Sequence, residues 1–378
     1  MKLTPEQRDD ELKVLIEKYN KIRETYLVVY AAATVKPAPA PELNSEDYKL
    51  LCDLLKDVDA TSLDVYIETP GGYGEVAEEI VRFMRGKFEK VSFVVAGEAK
   101  SAGTILVLSG DEILMADTGS LGPIDAQVMI GRSMVSANDY LELVNARKKE
   151  ADQTGILPAM EATVIAQVSP GELEQVYNAL EFAKDLVKEW LTKYKYRDWD
   201  VTEKRGLPVT EQMKKDRAGE IAEVLTDTHR WRTHGRSIKR EDLEEIGLRI
   251  TRVDDDKDLA DIVYRLQMLI ALIMSSTSIY KILCTAEGAV NRQAMPIGMP
   301  QATMPQPTAV EVNHQCPRCC KKYKYYLKLK NDPAIDKDMQ EKGRKPLPQE
   351  VVKCTCGLEI PVDKIRAETE RTIGIKPI

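Results

Sequence analysis

A chain of 378 residues, 43% hydrophobic and 30% charged, has room for two or three domains and the composition of globular material with a sizeable core. That composition excludes a collagen, a disordered tail and a disulfide scaffold. The net charge of −7 is unevenly placed: residues 315–378 hold 15 Lys/Arg, 9 Asp/Glu and five of the seven cysteines, so this tail stands at +6 and the remainder at −13.

The N-terminal residues Met1 to Asp10 are polar, with no apolar core of a signal peptide behind them. Apolar runs near Tyr26–Val35 and Met268–Met274 fall short of the roughly 20 residues that span a bilayer. The expectation is a cytoplasmic protein with no transmembrane segment, in which reduced, clustered cysteines serve as metal ligands more readily than as disulfides.

Thr4-Pro5-Glu6 starts a helix that repeats Leu12, Leu15, Ile16, Tyr19 and Ile22 at helical spacing. Tyr26–Val35 reads as a strand, 37–41 as a stiff proline connector, and Ser45 as the cap of a leucine-bearing helix. Then come strand Leu63–Ile67, glycine turn Thr69–Gly74, helix Glu75–Lys87, strand Val91–Ala96, turn Gly97–Ser101, helix Ala102–Leu108 and strand Glu112–Met115. This alternation predicts a parallel sheet with right-handed crossovers, buried on both faces. Beyond residue 135 the pattern turns helical: Ala137–Ala151, Ser169 to about Lys195, a polar and less regular 196–236, Arg240–Ile246, and Asp256–Ile282. Prolines at 296, 300, 305 and 307 mark 291–313 as a linker to the cysteine-bearing tail.

The segment Gly97-Glu98-Ala99-Lys100-Ser101-Ala102-Gly103 sets a serine among small residues, after a strand and at the start of a helix. Small neighbours let a substrate backbone approach the hydroxyl, and the helix start offers free N–H groups to a developing oxyanion. The turn Thr69-Pro70-Gly71-Gly72 closes the preceding strand, where Gly71 and Gly72 can present N–H groups. In a parallel sheet both turns lie at carboxyl ends of neighbouring strands, where sites form. Tight strand–helix packing alone explains either glycine-rich turn taken singly; their occurrence on successive strands favours a site.

Together, Asp64–Gly72, Gly97–Gly103 and Gly119-Ser120-Leu121-Gly122-Pro123-Ile124-Asp125 resemble the Clp-protease/crotonase superfamily, most closely its serine dehydrogenase proteinases, with signal peptide peptidase A more distant. The resemblance covers about residues 20–130 and resumes weakly over Thr233–Ile250. It implies stacked ββα units, a homo-oligomer, Ser101 as nucleophile, and oxyanion donors at Gly71, Gly72 and Ala102. The Clp subunit carries a histidine where this chain has Leu121–Asp125, and its acid falls near Gly235, beside His234, so a normal Ser–His–Asp triad is not supported. Signal peptide peptidases use a lysine about 40 to 50 residues after the serine, which points to Lys148 and Lys149. His234, one of three histidines, is the other candidate base, and Asp125 can orient a base or cap a turn. Lys100 is expected to point away from the reaction, because it adjoins Ser101.

In the tail, Cys316-x-x-Cys319 and Cys354-x-Cys356 suit a zinc ribbon, with Cys320 and His314 as substitutes. A tail of this size has little core, so metal would help it fold. Lys321–Lys330 mixes five lysines with three tyrosines; it reads as a lysine-protected edge strand or as a nucleic-acid surface.

The sequence thus predicts a ClpP/crotonase-like α/β core (1–135), a helical extension completing the core and oligomer contacts (136–290), the linker, and a zinc-ribbon-like module (314–378). The expected activity is serine hydrolysis of peptide or protein substrates, with any unfolding ATPase or adaptor a separate partner. The rival reading is a non-catalytic scaffold whose tail binds a protein or nucleic acid.

Overall fold

The strands that read as apolar on both faces form the centre of a seven-stranded sheet. The computed structural model describes residues 5–130, 133–156, 158–166, 168–202, 205–294, 309–330 and 332–373, and the chain divides into two compact units, Met1–Met295 and Pro296–Ile378.

In the first unit α1 (Pro5–Arg23) leads into β1 (Tyr26–Ala32), α2 (Ser45–Leu55), β2 (Ser62–Glu68), α3 (Gly74–Lys87) and β3 (Lys90–Val95). The short β4 (Glu98–Ala99), α4 (Ala102–Leu108) and β5 (Glu112–Met115) follow. The cap of α2 is Asn44 rather than Ser45: its side chain accepts the Glu46 N–H, and the Asp47 carboxylate accepts the Asn44 N–H in return. Strands β1, β2, β3 and β5 run parallel, with Tyr30 opposite Ile67, Val65 opposite Phe93 and Val94 opposite Leu114. Alternate side chains leave opposite faces. Val28, Tyr30, Val65, Ile67 and Phe93 pack with apolar residues of α2, α3, α4 and the later helix α7 (Pro170–Trp190); Leu27, Val29, Tyr66 and Val94 pack with apolar residues of α1 and a late helix.

After β6 (Ser120–Leu121) comes a hairpin that the sequence did not suggest, β7 (Gln127–Ile130) and β8 (Ser133–Ser136). Then follow α5 (Ala137–Thr154), α6 (Ala159–Ile165) and α7, which continues as a π-helical turn, Leu191–Lys195. The polar stretch 196–236 contains α8 (Glu211–Thr226) and α9 (Thr228–Trp231). In α8 Ala218, Ile221, Ala222 and Leu225 are buried in the core and Val224 packs against it, among charged residues that dilute the periodicity. Last come α10 (Arg240–Glu245), β9 (Thr251–Arg252), α11 (Lys257–Ser276), β10 (Ile279–Cys284) and β11 (Ala289–Gln293).

The sheet order is β11-β10-β1-β2-β3-β5-β9, with β10 antiparallel to β1. Residues 136–290 therefore return three strands to the sheet besides supplying helices. The helix expected over Asp256–Ile282 stops at Ser276, because Ile279–Cys284 is a β-prone run that is buried along its whole length as the partner of β1. By length and composition α11 is apolar enough to cross a membrane. Its eight buried apolar residues, each contributing about 1.5–3 kcal/mol when taken out of water, hold it to the sheet instead.

The second unit contains β12 (Ala309–Gln315), β13 (Lys322–Lys328), α12 (Pro333–Glu341), β14 (Lys345–Pro346), β15 (Val351–Lys353), β16 (Glu359–Pro361) and α13 (Val362–Ile373). The linker expected over 291–313 has strand at both ends, and 295–308 lie outside the described residues. β13 is central rather than an edge: β12 pairs with it along one side and β14 along the other. Val312, Tyr325, Leu327, Val352, Val362 and Ile365 make a small core.

Candidate active site and cysteine cluster

A ladder of short segments stands at the carboxyl ends of the central strands. Thr69, after β2, bridges Ala99 in parallel; β4 pairs in parallel with β6, Ala99 opposite Leu121; and Leu121 bridges Ile238 antiparallel. Each segment then runs into a candidate residue. Ser101 lies two residues beyond Ala99. Asp125 lies four residues beyond Leu121, and His234 four residues before Ile238. Because that last pairing is antiparallel, forward along one strand is backward along the other, and Asp125 comes to face His234.

Ser101 sits at φ 50°, ψ −118° and makes no capping bond to α4. A non-glycine residue in this region carries strain of about 1–3 kcal/mol, and a serine on a sharp strand-to-helix turn is the form of a nucleophile elbow. The glycine turn presses against it. A Cβ at Gly71, where φ is +104°, would fall 2.7 Å from Ser101 Cβ and 2.8 Å from the Lys100 carbonyl oxygen, so only glycine lets the turns meet. At Gly72 a Cβ would fall 2.3–2.8 Å from the Leu43 backbone, which bonds the turn from its other side through Leu43 N–H to Gly71 O (2.6 Å) and Tyr73 N–H to Leu43 O (3.1 Å).

The expected oxyanion donors divide. Gly71 N–H donates to Thr69 Oγ1 at 3.2 Å. Gly72 N–H has no acceptor among the described residues, and Ala102 N–H opens α4, where no preceding turn can accept it.

Asp125 is buried, at 5% exposure, and held by two short bonds, Ser136 Oγ to Oδ1 and Gln127 Nε2 to Oδ2, each 2.6 Å. Its Oδ2 also stands 3.4 Å from His234 Nδ1. His234 is exposed, and with Nδ1 toward the carboxylate its Nε2 remains available. The two lysines do not join this group. Lys148 and Lys149 are exposed on α5, without the burial that a lysine base needs. Lys100 points away from Ser101 as expected: its ammonium donates to Leu121 O (3.4 Å), Arg236 O (3.1 Å) and Ser237 Oγ (2.9 Å), with Glu98 at 3.7 Å.

The glycine turn is braced from within. Lys281 and Asp47, both fully buried, pair at 2.8 Å; Tyr30 O–H donates to Asp47 at 3.0 Å and also meets Thr69, the residue that receives Gly71 N–H. This network was invisible in the sequence because its members lie on four separate elements.

In the second unit the thiols of Cys316, Cys319, Cys354 and Cys356 lie within 4.8 Å of one another, Cys316 to Cys356 at 3.7 Å and Cys319 to Cys354 at 3.4 Å. Four sulfurs about 2.3 Å from a tetrahedral zinc stand about 3.8 Å apart, so this donor set can hold a metal ion. The C-x-C pair is accommodated by a turn in which Gly357, at φ +83°, sends its N–H to Cys354 O. The N–H of Cys356 and the Tyr323 hydroxyl pull the Cys354 thiol down to about 5, favouring thiolate. Cys320 and His314 lie outside the cluster. Tyr325 and Tyr326 are buried, and Tyr323 is bonded to Cys354 and to Thr355 N–H, so these rings are engaged internally rather than free to stack on bases.

With the elbow, the glycine turn and the ladder in place, the comparisons with known proteins fall into line. Residues 44–209 match the family of ClpP-like SDH-type serine proteinases. The curated relatives are two uncharacterized proteins of Methanocaldococcus jannaschii. MJ0137 is 29% identical over 209 residues, covering 55% of this chain and 58% of its own length. MJ1495 is 26% identical over 189 residues, covering 50% and 51%. The chain thus spans little more than half the length of the relatives it matches. Among solved structures, the 1510-N membrane-bound stomatin-specific protease aligns in a serine-to-alanine form with TM-score 0.33 and 13% identity, over 58% of this chain and 79% of that one. Its lysine-to-alanine form, in complex with a substrate peptide, aligns at TM-score 0.33 and 14%, over 58% and 74%. ClpP1 of Listeria monocytogenes aligns at TM-score 0.32 and 11%, over 64% and 98%. The match over residues 44–209 agrees with the resemblance carried by the sequence motifs, and the mixed α/β fold expected from the strand–helix alternation is present. The proteinase-family segment ends before His234, so that residue enters on geometry alone.

Proposed function

We propose that this chain is a serine peptidase that works through Ser101, Asp125 and His234. In this reading Ser101 Oγ attacks the peptide carbonyl carbon as His234 Nε2 takes its proton. The carbonyl oxygen becomes an oxyanion facing the N–H groups of Gly72 and Ala102. The protonated imidazole then gives its proton to the leaving amine, and water hydrolyses the acyl-enzyme by the reverse path. Asp125 keeps Nδ1 toward itself and balances the imidazolium. The observation that carries this reading is the Asp125–His234 contact at the end of the ladder that also holds the strained Ser101 turn.

A fluorophosphonate probe tests it without knowledge of the substrate. Labelling is expected to vanish in Ser101→Ala, to fall at least about 100-fold in His234→Ala, and to stay unchanged in Lys148→Ala and Lys149→Ala. Absence of Ser101-dependent labelling would favour the scaffold reading. Zinc is the metal that four thiolates at this spacing suit, in a structural role, and the full chain is expected to hold about one zinc ion. Self-association belongs to the same reading: Tyr264 and Met268 are exposed on α11, and sedimentation of the full chain tests it.

A further inference from the structure

We propose that Lys100 is a positioning residue: it clamps the His234-bearing segment against the strand that delivers Ser101. The inference rests on the assignment of His234 as base. It starts from an oddity of placement. A lysine stands immediately before the strained serine, yet its side chain is nearly buried, at 7% exposure, and runs away from the hydroxyl. Its stem lies over Gly122, where a Cβ would fall 2.7 Å from Lys100 Cδ and 3.2–3.3 Å from its Cα and Cβ, so the path of the chain is fixed on that side.

The ammonium group has three N–H donors and no acceptor, and it has three acceptors. Leu121 O belongs to β6, the strand that continues to Asp125. Arg236 O and Ser237 Oγ lie two and three residues beyond His234. One cation therefore ties together the strand before the nucleophile, the strand before the carboxylate and the segment carrying the imidazole. Glu98, 3.7 Å away, balances its charge; Lys239, the nearby like charge, is occupied by the carbonyls of Thr118 and Gly119.

The base segment needs such a tie. Residues 232–236 are exposed. Their internal bonds are local, Thr233 N–H to Trp231 O and Arg236 N–H to Thr233 O. The segment is pinned at its start by buried Trp231, whose indole donates to Val224 O, and at its end by the Ile238 bridge to Leu121. Between these pins, among the described residues, the 3.4 Å contact with Asp125 is the one that orients the ring. Bonds from Lys100 to Arg236 and Ser237 shorten the free span, and a shift of about 1 Å in a reacting group can cost on the order of 100-fold in rate.

The test uses Lys100→Met, Lys100→Arg and Ser237→Ala in the full chain, each alone and with His234→Ala. Two readouts are taken: the rate of fluorophosphonate labelling at Ser101, and the imidazole resonances. The chain has only three histidines, so His234 is assigned by its loss in His234→Ala. Lys100→Met is expected to lower labelling about 10- to 100-fold and to shift or broaden the His234 resonance, leaving those of His229 and His314 in place. Lys100→Arg should restore most of both. In the His234→Ala background Lys100→Met should cost nothing further. If Lys100→Met does not fold, Ser237→Ala carries the test, with a smaller loss of about threefold and a moved His234 resonance. An unmoved His234 resonance in the folded variant, or an equal loss with and without His234, overturns the inference. Full labelling in His234→Ala would instead sink the base assignment while leaving the resonance readout of the clamp intact.

Discussion

The strain at Ser101 can be measured without a substrate. Two substitutions remove the hydroxyl equally: Ser101→Ala keeps a Cβ, and Ser101→Gly does not. At an ordinary position the glycine variant would be the less stable by about 0.5–1 kcal/mol, because the unfolded chain gains freedom. At φ 50°, ψ −118° the alanine variant retains the steric cost of about 1–3 kcal/mol and the glycine variant sheds it. The difference should therefore change sign, with glycine ahead by about 1 kcal/mol. For a unit of this size that moves Tm by roughly 2–4 °C. Urea and thermal unfolding of the two variants, with equal m-values, give the number. An alanine variant more stable than the glycine variant by about 0.5 kcal/mol or more, the low end of the glycine penalty, would show a relaxed backbone at residue 101. The elbow argument would then fail, whatever the labelling experiments report.

Three further outcomes follow from buried groups. Lys281→Met should destabilise the fold by about 3–5 kcal/mol, because it strands the Asp47 carboxylate in the core, and Asp47→Asn should recover most of that loss in the double variant; no recovery in urea unfolding would place the cost in packing. Burial pushes the Glu68 carboxyl up to about 7, although the Tyr66 hydroxyl bonds to it. The folded state then holds that proton more tightly than the unfolded chain does, so its contribution is full below about pH 4 and is lost as pH rises to 7. Glu68→Gln should therefore gain on the parent by up to about 3 kcal/mol over that range, and a constant difference across pH refutes the assignment. Chelation of metal, or Cys354→Ser, should expose residues 309–373 to protease while the first unit keeps its melting transition, as read by circular dichroism.

The parallel core was legible because buried strands of Val, Ile and Leu alternate with helices, and Ala102–Leu108 and Glu112–Met115 fall where the sequence puts them. Where pattern failed, tertiary pairing had decided. Ile279–Cys284 continues an apolar helix smoothly, and only β1 beside it makes it a strand. Lys322–Lys328 looks like a protected edge, and only the later Lys345-Pro346 covers its free side. Ser101 and the cysteines could be singled out because their motifs are local. His234 could be named as a candidate base but not joined to Asp125, since more than a hundred residues separate the two and three histidines give no pattern.

In the proposed reading the carboxylate–imidazole pair stands with its order exchanged relative to the Clp pattern. In the Clp pattern the imidazole comes from the segment after the nucleophile helix and the carboxylate from the late one; here Asp125 occupies the first place and His234 stands beside the second. The two segments face each other through the antiparallel bridge of Leu121 to Ile238, with the N–H and the carbonyl of each residue bonded to the other at 2.9–3.0 Å. Such a bridge fixes which positions meet and is indifferent to which strand carries which side chain. An exchange therefore keeps the carboxylate–imidazole contact. It also changes what must be held still. A carboxylate in the first segment is locked by Ser136 and Gln127, while the imidazole now rides on an exposed turn, and the lysine beside the nucleophile is the group that reaches that turn.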